Sequence, residues 1–269
     1  MNVNDINDTK KVKRYLLASD FDKTLSFDDT GVELSNLLGI KGFDEKVAGL
    51  ASQNFVQEGA ELTYLLRHDP EFRRVRKEHL IEAGKRVRLK NNVGLLSQFL
   101  NSVSEEHQFL FYVISAGPRA AVQSALEGIV PADHIYGTEF EYDSSGEIQG
   151  VKHSPAGYGK VAVIKQLQSQ FNIAHNRIIY IGDGSSDIHV MLHVNRLDGL
   201  TIAVSENKFI QEVAKRIIIS NDALSVSVPV LEEIMGKTQK EIKAVFEKWD
   251  FQIHEWDKIQ TDTLEIGSN

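Results

Sequence analysis

Four short apolar runs stand out along the chain: Tyr15-Leu16-Leu17-Ala18-Ser19, Phe109 to Ile114, Arg177 to Ile181 and Leu200 to Val204. Each stops at small or polar residues, the pattern of a strand buried on both faces. Helical spacing follows in Ala120 to Gly128, in Lys160 to Phe171 with Val161, Ile164 and Leu167 on one face, and in Ile188 to Val194. Strands alternating with helices predict an α/β fold with a doubly wound parallel sheet. In such a sheet ligands bind beyond the carboxyl ends of the strands, where Asp20, Ser115 and Asp183 all fall.

Between Gly31 and Arg88 the pattern changes to amphipathic helices without strand-like runs: Val32 to Leu38, Phe43 to Phe55, Ala60 to Arg67 and Phe72 to Lys85. This predicts an inserted α-helical cap over 31–88, with residues 1–30 and 89–236 forming the α/β core. Phe140 to Gly150 alternates around Ser144-Ser145-Gly146, a hairpin signal. From Lys237 onward Ile242, Val245, Phe246, Trp249, Ile253 and Trp256 recur at helical spacing, so 237–269 reads as an amphipathic helical extension. Its apolar face must dock on the core or on a second copy, which makes a homodimer through this helix an expectation.

Composition narrows the function classes. A formal net charge of -8 argues against a general grip on nucleic acid, which needs a basic face. With no cysteine, disulfides, thiolate zinc sites and a cysteine nucleophile are all excluded. Met1 to Lys13 is polar and charged, and no stretch reaches a membrane-spanning length, so no membrane association is expected and the cytoplasm is the expected location.

Two acidic clusters carry the chemistry. Asp20-Phe21-Asp22-Lys23-Thr24 places two carboxylates two residues apart at a strand end, where one can attack or bind a cation while the other handles a proton. Gly182-Asp183-Gly184-Ser185-Ser186-Asp187 repeats the setting after another strand, its glycines permitting a tight turn. Carboxylates gathered in one crevice repel one another unless a cation sits among them, and hard oxygen ligands favour Mg²⁺. That ion commonly bridges carboxylates to a substrate phosphate, so a small phosphorylated substrate is the implied partner. Ser115, the amides of Ala116-Gly117, and Lys160 can serve its oxygens.

These segments, Asp20-Phe21-Asp22-Lys23-Thr24-Leu25, Ser115-Ala116-Gly117, Lys160 and Gly182 to Asp187, occur in the order of the haloacid dehalogenase superfamily. The chain resembles its phosphoserine phosphatase-like branch from about Tyr15 to Ser205, and the resemblance makes the helical stretch a C1-type cap. It implies a magnesium-dependent phosphomonoesterase in which Asp20 forms an aspartyl-phosphate and Asp22 is general acid, then base. Ser115 would bind phosphate with help from Thr24 and Gly117, and Lys160 would neutralise charge. Mg²⁺ would lie on the Asp20 carboxylate, the Asp22 backbone carbonyl and the Asp183 carboxylate, with Asp187 orienting metal-bound water or Lys160. In that branch a cap glutamate reads the substrate amine and a cap arginine its carboxylate; here Asp29 stands at the glutamate's place and Arg67 at the arginine's, with Arg119 a further candidate. A phosphotransferase using the same intermediate, and a phosphate-ligand-binding protein without turnover, are the alternatives.

Other motifs carry less. Gly182-x-Gly184 lacks the third glycine of a dinucleotide loop, and Gly157-Tyr158-Gly159-Lys160 is followed by Val161 rather than Ser or Thr. His189 and His193 are four apart without an intervening glutamate or a third ligand, so packing or exposure is expected for them.

Overall fold

The computed structural model describes residues 12–53, 56–258 and 262–268. Strands β1 (Lys13–Ser19), β2 (His107–Pro118), β3 (Ile135–Tyr142), β4 (Ile148–His153), β5 (Ile178–Gly182), β6 (Leu200–Ala203) and β7 (Arg216–Ile219) join one sheet. Two C-terminal strands, β8 (Phe251–Lys258) and β9 (Asp262–Ser268), extend it to the order β4-β3-β2-β1-β5-β6-β7-β9-β8. From β3 to β7 all neighbours are parallel, and β3–β4 is the antiparallel hairpin expected around Ser144 to Gly146. The chain winds outward from β1 to β3, then resumes on the other side of β1 at β5. That reversal leaves a crevice at the carboxyl end of β1.

Alternation along β1 explains why it is central: Leu17 faces one apolar cluster while Leu16 and Ala18 face the other, and all three are fully buried. Helices α5 (Leu96–Ser102), α10 (Ser227–Glu233) and α11 (Gln239–Glu247) cover the first face. The second is covered by α7 (Tyr158–Phe171), α8 (Ile188–Arg196) and α9 (Lys208–Val213). Between β2 and β3 runs α6 (Arg119–Ala125).

Between β1 and β2, ahead of α5, come four helices: α1 (Thr30–Leu38), α2 (Phe43–Ser52), α3 (Glu61–His68) and α4 (Lys77–Arg86). They enclose their own core of Leu34, Leu65, Leu66, Phe72 and Leu80. The helix expected from Phe72 begins only at Lys77. Phe72 donates its N–H to Asp69 and Val75 to Phe72 in successive turns after Pro70, and those turns bury the same three-residue spacing that suggests a helix. Phe55, the expected end of the second helix, lies outside the described residues; α2 is described to Ser52.

The tail departs further from expectation. A Thr238–Glu241 capping box starts α11, but the helix stops at Glu247 and Asp250 takes φ 58°, turning the chain into β8. Phe251 and Ile253 then alternate with Gln252 and His254, a strand period that helical spacing masked. The strand β9 pairs parallel with β7, so the tail completes the sheet instead of forming one long helix. The apolar face of α11 is covered by its own core: Phe246 packs on Phe99 at 4.8 Å, and Trp249 on Phe99 at 5.6 Å. The Trp249 indole also donates to Ser102. Phe246 is fully buried, so Phe246→Ala is expected to lower unfolding free energy by about 3–5 kcal/mol, read by urea denaturation.

Candidate active site

Asp20 follows β1, Ser115 lies near the end of β2, and Asp183 follows β5. Since β1 is flanked by β2 and β5, with Ser19 opposite Val113 on one side and Ile181 on the other, the three residues emerge at one level. The Asp20 N–H still donates to Ile181 at 2.9 Å, which fixes it to the sheet.

Asp20 is held from two sides. Its Oδ1 accepts from the Phe21 N–H at 2.7 Å, and its Oδ2 lies 2.7 Å from the Lys160 Nζ. Lys160 is wholly buried and reaches Asp187 at 2.6 Å with the same ammonium. Asp187 in turn accepts from the Tyr180 hydroxyl at 2.6 Å and from the Asp183 and Gly184 amides. Burial alone would depress the Lys160 ammonium, but the Asp187 and Asp20 carboxylates hold it above the ordinary lysine range. It thus stays charged as a fixed counter-ion. Gly182 leaves the room for this: a Cβ there would lie 2.4 Å from the Asp187 carboxyl carbon.

Asp22 has a different setting. Its Oδ1 accepts from the Thr30 N–H at 2.7 Å and the Thr30 hydroxyl at 2.5 Å. Burial, joined by the Asp29 charge, outweighs those bonds and pushes its carboxyl up to about 7. A carboxyl near neutrality can give a proton in one step and take one in the next. Asp22 also approaches the second loop, since a Cβ on Gly117 would meet Asp22 Oδ2 at 3.0 Å and Ser115 Oγ at 3.1 Å. Ser115 is buried and accepts from the Gly117 N–H at 3.0 Å.

The third loop brings Asp183, whose Oδ1 accepts from the Thr24 hydroxyl at 3.2 Å. Burial and the Asp187 charge raise it to about 6, against the pull of Lys160. Burial likewise pushes Asp20 well above the carboxylate range; Lys160 opposes this while Asp187 and Asp183 add to it. Carboxylate oxygens of Asp20, Asp183 and Asp187 lie within 4.8 Å of one another. One ammonium does not offset this charge, and an all-oxygen, partly buried donor set suits a hard divalent cation. Asp187 is engaged by Lys160, Tyr180 and two amides, so Asp20 and Asp183 have the fewer partners of the three.

A cavity of about 320 Å³ opens onto these loops, lined by Asp20, Asp22, Ser115, Gly117 and Asp183, and on the helical side by Asp29, Phe43, Asp44, Glu61 and Leu62. Asp29 is both lining and N-cap, accepting from the Gly31 and Val32 N–H groups at the start of α1. Arg67 and Arg119 are not brought to the cavity. Arg67 sits in the last turn of α3, whose opening residues Glu61 and Leu62 face the cavity, and Arg119 is drawn to Glu139 on β3. His189 and His193 form no metal cluster among the described residues.

Several contributors escape sequence reasoning. Thr30 reads as the start of a helix, and its second task of holding Asp22 depends on the turn of the Asp20 loop. Tyr180 sits in an aliphatic run, and a lone tyrosine there is the one signal of a buried polar partner. Asp44 and Glu61 look like ordinary first-turn helix acids.

No curated protein is matched in sequence. Among solved structures, a phosphoserine phosphatase in the form of a phospho-aspartyl intermediate analogue is similar at TM-score 0.62 and 20% identity, over 83% of this chain and 98% of that one. A substrate-bound phosphoserine phosphatase is similar at TM-score 0.61 and 19% identity, over 84% and 99%. A HAD family hydrolase from Salmonella enterica serovar Typhi is similar at TM-score 0.65 and 17% identity, over 83% and 73%. These likenesses show the fold. Among the described residues no helix is long and apolar enough to cross a membrane. The model of the haloacid dehalogenase-like hydrolases matches residues 17–192, spanning all the loops just described, and the chain belongs to that family.

Proposed function

We propose that this hydrolase is a magnesium-dependent phosphomonoesterase that passes the phosphoryl group of a small phosphorylated metabolite to Asp20 and then to water. The observation that carries this reading is the unequal treatment of two adjacent carboxylates. Asp20 is pinned against a charged Lys160, whereas Asp22 is held by Thr30 with its carboxyl near 7. Burial raises both carboxyls, so their partners distinguish them: the Lys160 ammonium favours the charged form of Asp20, as a nucleophile needs, while Asp22 meets hydroxyl and amide donors and titrates where a proton can be both given and taken.

In the first step an Asp20 oxygen attacks phosphorus, the ester P–O bond breaks, and the departing oxygen takes the proton of Asp22. In the second, Asp22, now a carboxylate, takes a proton from water as that water attacks the aspartyl-phosphate. Inorganic phosphate leaves and both aspartates return to their starting states. Ser115 would donate to a phosphoryl oxygen, as would the Gly117 amide on exchanging its bond to Ser115 Oγ for the substrate, while Lys160 balances charge beside Asp20 throughout. Mg²⁺ would be held by the Asp20 carboxylate, the Asp22 backbone carbonyl and the Asp183 carboxylate; when bound it neutralises charge on the phosphoryl group. The helical stretch 31–88 acts as a cap over the core formed by 1–30 and 89–236 in this reading, and the small cavity supports a small substrate.

Chelation tests the metal. EDTA treatment is expected to lower p-nitrophenyl phosphate hydrolysis by more than about tenfold, with Mg²⁺ restoring it; unchanged hydrolysis in EDTA would contradict the reading. The carboxyls of Asp22 and Asp183 titrate in the metal-free fold at about 7 and about 6, above their unfolded values. Their stabilising effect is therefore complete below the unfolded value and lost as pH rises through that range. A cation that accepts the charged forms reverses the loss, so Mg²⁺ should raise Tm more near pH 8 than near pH 5 by scanning calorimetry.

A further inference from the structure

Under that reading the charge beside the nucleophile comes from one ammonium that two carboxylates share. The buried Lys160 Nζ donates to Asp187 Oδ1 at 2.6 Å and lies 2.7 Å from Asp20 Oδ2. The two oxygens compete for it, and each further donor given to one of them weakens that oxygen's own pull on the cation. How the rest of Asp187 is satisfied therefore decides how much of the Lys160 charge reaches Asp20.

Four donors meet Asp187. Its Oδ2 accepts from the Asp183 and Gly184 N–H groups at 3.1 and 3.3 Å, and its Oδ1 from Lys160 and from the Tyr180 hydroxyl, each at 2.6 Å. An ionised carboxylate has about four acceptor sites, so the hydroxyl takes the one that remains. The strand β5 sets it there: Tyr180 is fully buried in the apolar cluster of Leu16, Val161 and Ile164, and pairs in register with Ala18, just ahead of Asp20. Burial, joined by the Asp187 and Asp20 charges, pushes the hydroxyl well above the ordinary phenol range, so it donates and stays neutral. Packing alone does not call for the oxygen, since a phenyl ring fills the same apolar space.

We infer that Tyr180 is a positioning residue for the nucleophile: by filling the second acceptor site of Asp187 Oδ1, its hydroxyl keeps the Lys160 ammonium divided between Asp187 and Asp20. Without the hydroxyl, Oδ1 turns its whole charge on a single donor. Lys160, whose ammonium carries three N–H groups on a flexible stem, then closes on Asp187. Asp20 loses the cation that favours its charged form as it attacks phosphorus. Tyr180 is not among the described residues that line the cavity, so its effect on the reaction runs through Asp187 and Lys160.

Tyr180→Phe removes the oxygen and keeps the ring, and two readouts test it. In a crystal structure of the variant, Lys160 Nζ is expected more than about 3.5 Å from Asp20 Oδ2, beyond hydrogen-bond reach, with its Asp187 contact kept. On p-nitrophenyl phosphate with Mg²⁺, kcat/KM is expected to fall by about tenfold, the size of one hydrogen bond to a charged group. In an Asp187→Asn background the hydroxyl has no carboxylate to restrain, so adding Tyr180→Phe should change kcat/KM by less than about twofold. A packing role would instead lower Tm with kcat/KM unmoved, or cost the same factor in both backgrounds. Either of those results, or Lys160 still bridging both carboxylates in the variant, would overturn the inference; the crystal structure decides it if Asp187→Asn does not fold. An active wild type matched by Tyr180→Phe overturns this inference alone, whereas a wild type inert on every phosphomonoester overturns the phosphomonoesterase reading and this with it.

Discussion

Asp20→Asn is expected to lower kcat on any phosphomonoester by about 10⁴-fold or more, because it removes the nucleophile of a covalent mechanism rather than one of several supporting contacts. The amide keeps the shape and can still accept from the Phe21 N–H, so folding should survive. What it loses is the charge that answers Lys160 at 2.7 Å. Lys160 retains Asp187 at 2.6 Å, which limits the structural cost. Circular dichroism checks the fold and p-nitrophenyl phosphate checks the rate. A variant that turns over at the wild-type rate would remove Asp20 from the chemistry.

Asp22→Asn is the second large effect, about 10²–10⁴-fold in kcat, and its form is more informative than its size. Asparagine cannot donate a proton to the leaving oxygen or take one from water. An alkoxide needs the proton and a nitrophenolate, a far weaker base, does not. Alkyl phosphates should therefore lose both steps, whereas p-nitrophenyl phosphate should still phosphorylate Asp20 and then stall. The expected result in a stopped-flow trace is a burst of nitrophenolate of about one equivalent per chain followed by a slow phase. Equal loss on alkyl and aryl esters with no burst would assign Asp22 another role. The Thr30 contacts predict a milder companion: Thr30→Val removes the hydroxyl donor and keeps the backbone N–H, so it should shift the pH profile rather than abolish turnover.

Much of the core and the placement of the candidate site residues was legible because local signals and global topology agree. The apolar runs at Tyr15, Phe109, Arg177 and Leu200 are buried on both faces of a parallel sheet, and such strands carry their signature without context. Asp20 and Asp183 were legible because a strand end followed by a glycine or acid cluster places side chains in the crevice by topology alone. The tail was misread beyond Glu247 because Val245, Phe246, Trp249, Ile253 and Trp256 fit a helical period, and only the Asp250 turn and pairing with β7 reveal two strands. Arg67 and Arg119 illustrate a different limit. Both lie near the right elements, but which way a long cation reaches depends on partners such as Glu139, distant in sequence. The same holds for Asp44 and Glu61, whose place in the lining shared with Asp20 depends on how α2 and α3 sit over the sheet.

The most direct measurement is the site of phosphorylation. Asp22→Asn is mixed with p-nitrophenyl phosphate and Mg²⁺, quenched in acid, digested and mapped by mass spectrometry. A phosphoryl group, labile to hydroxylamine, on the peptide containing Asp20 is the predicted result. Turnover with an unmodified Asp20 peptide, or phosphate on another residue such as Ser115, would contradict the mechanism.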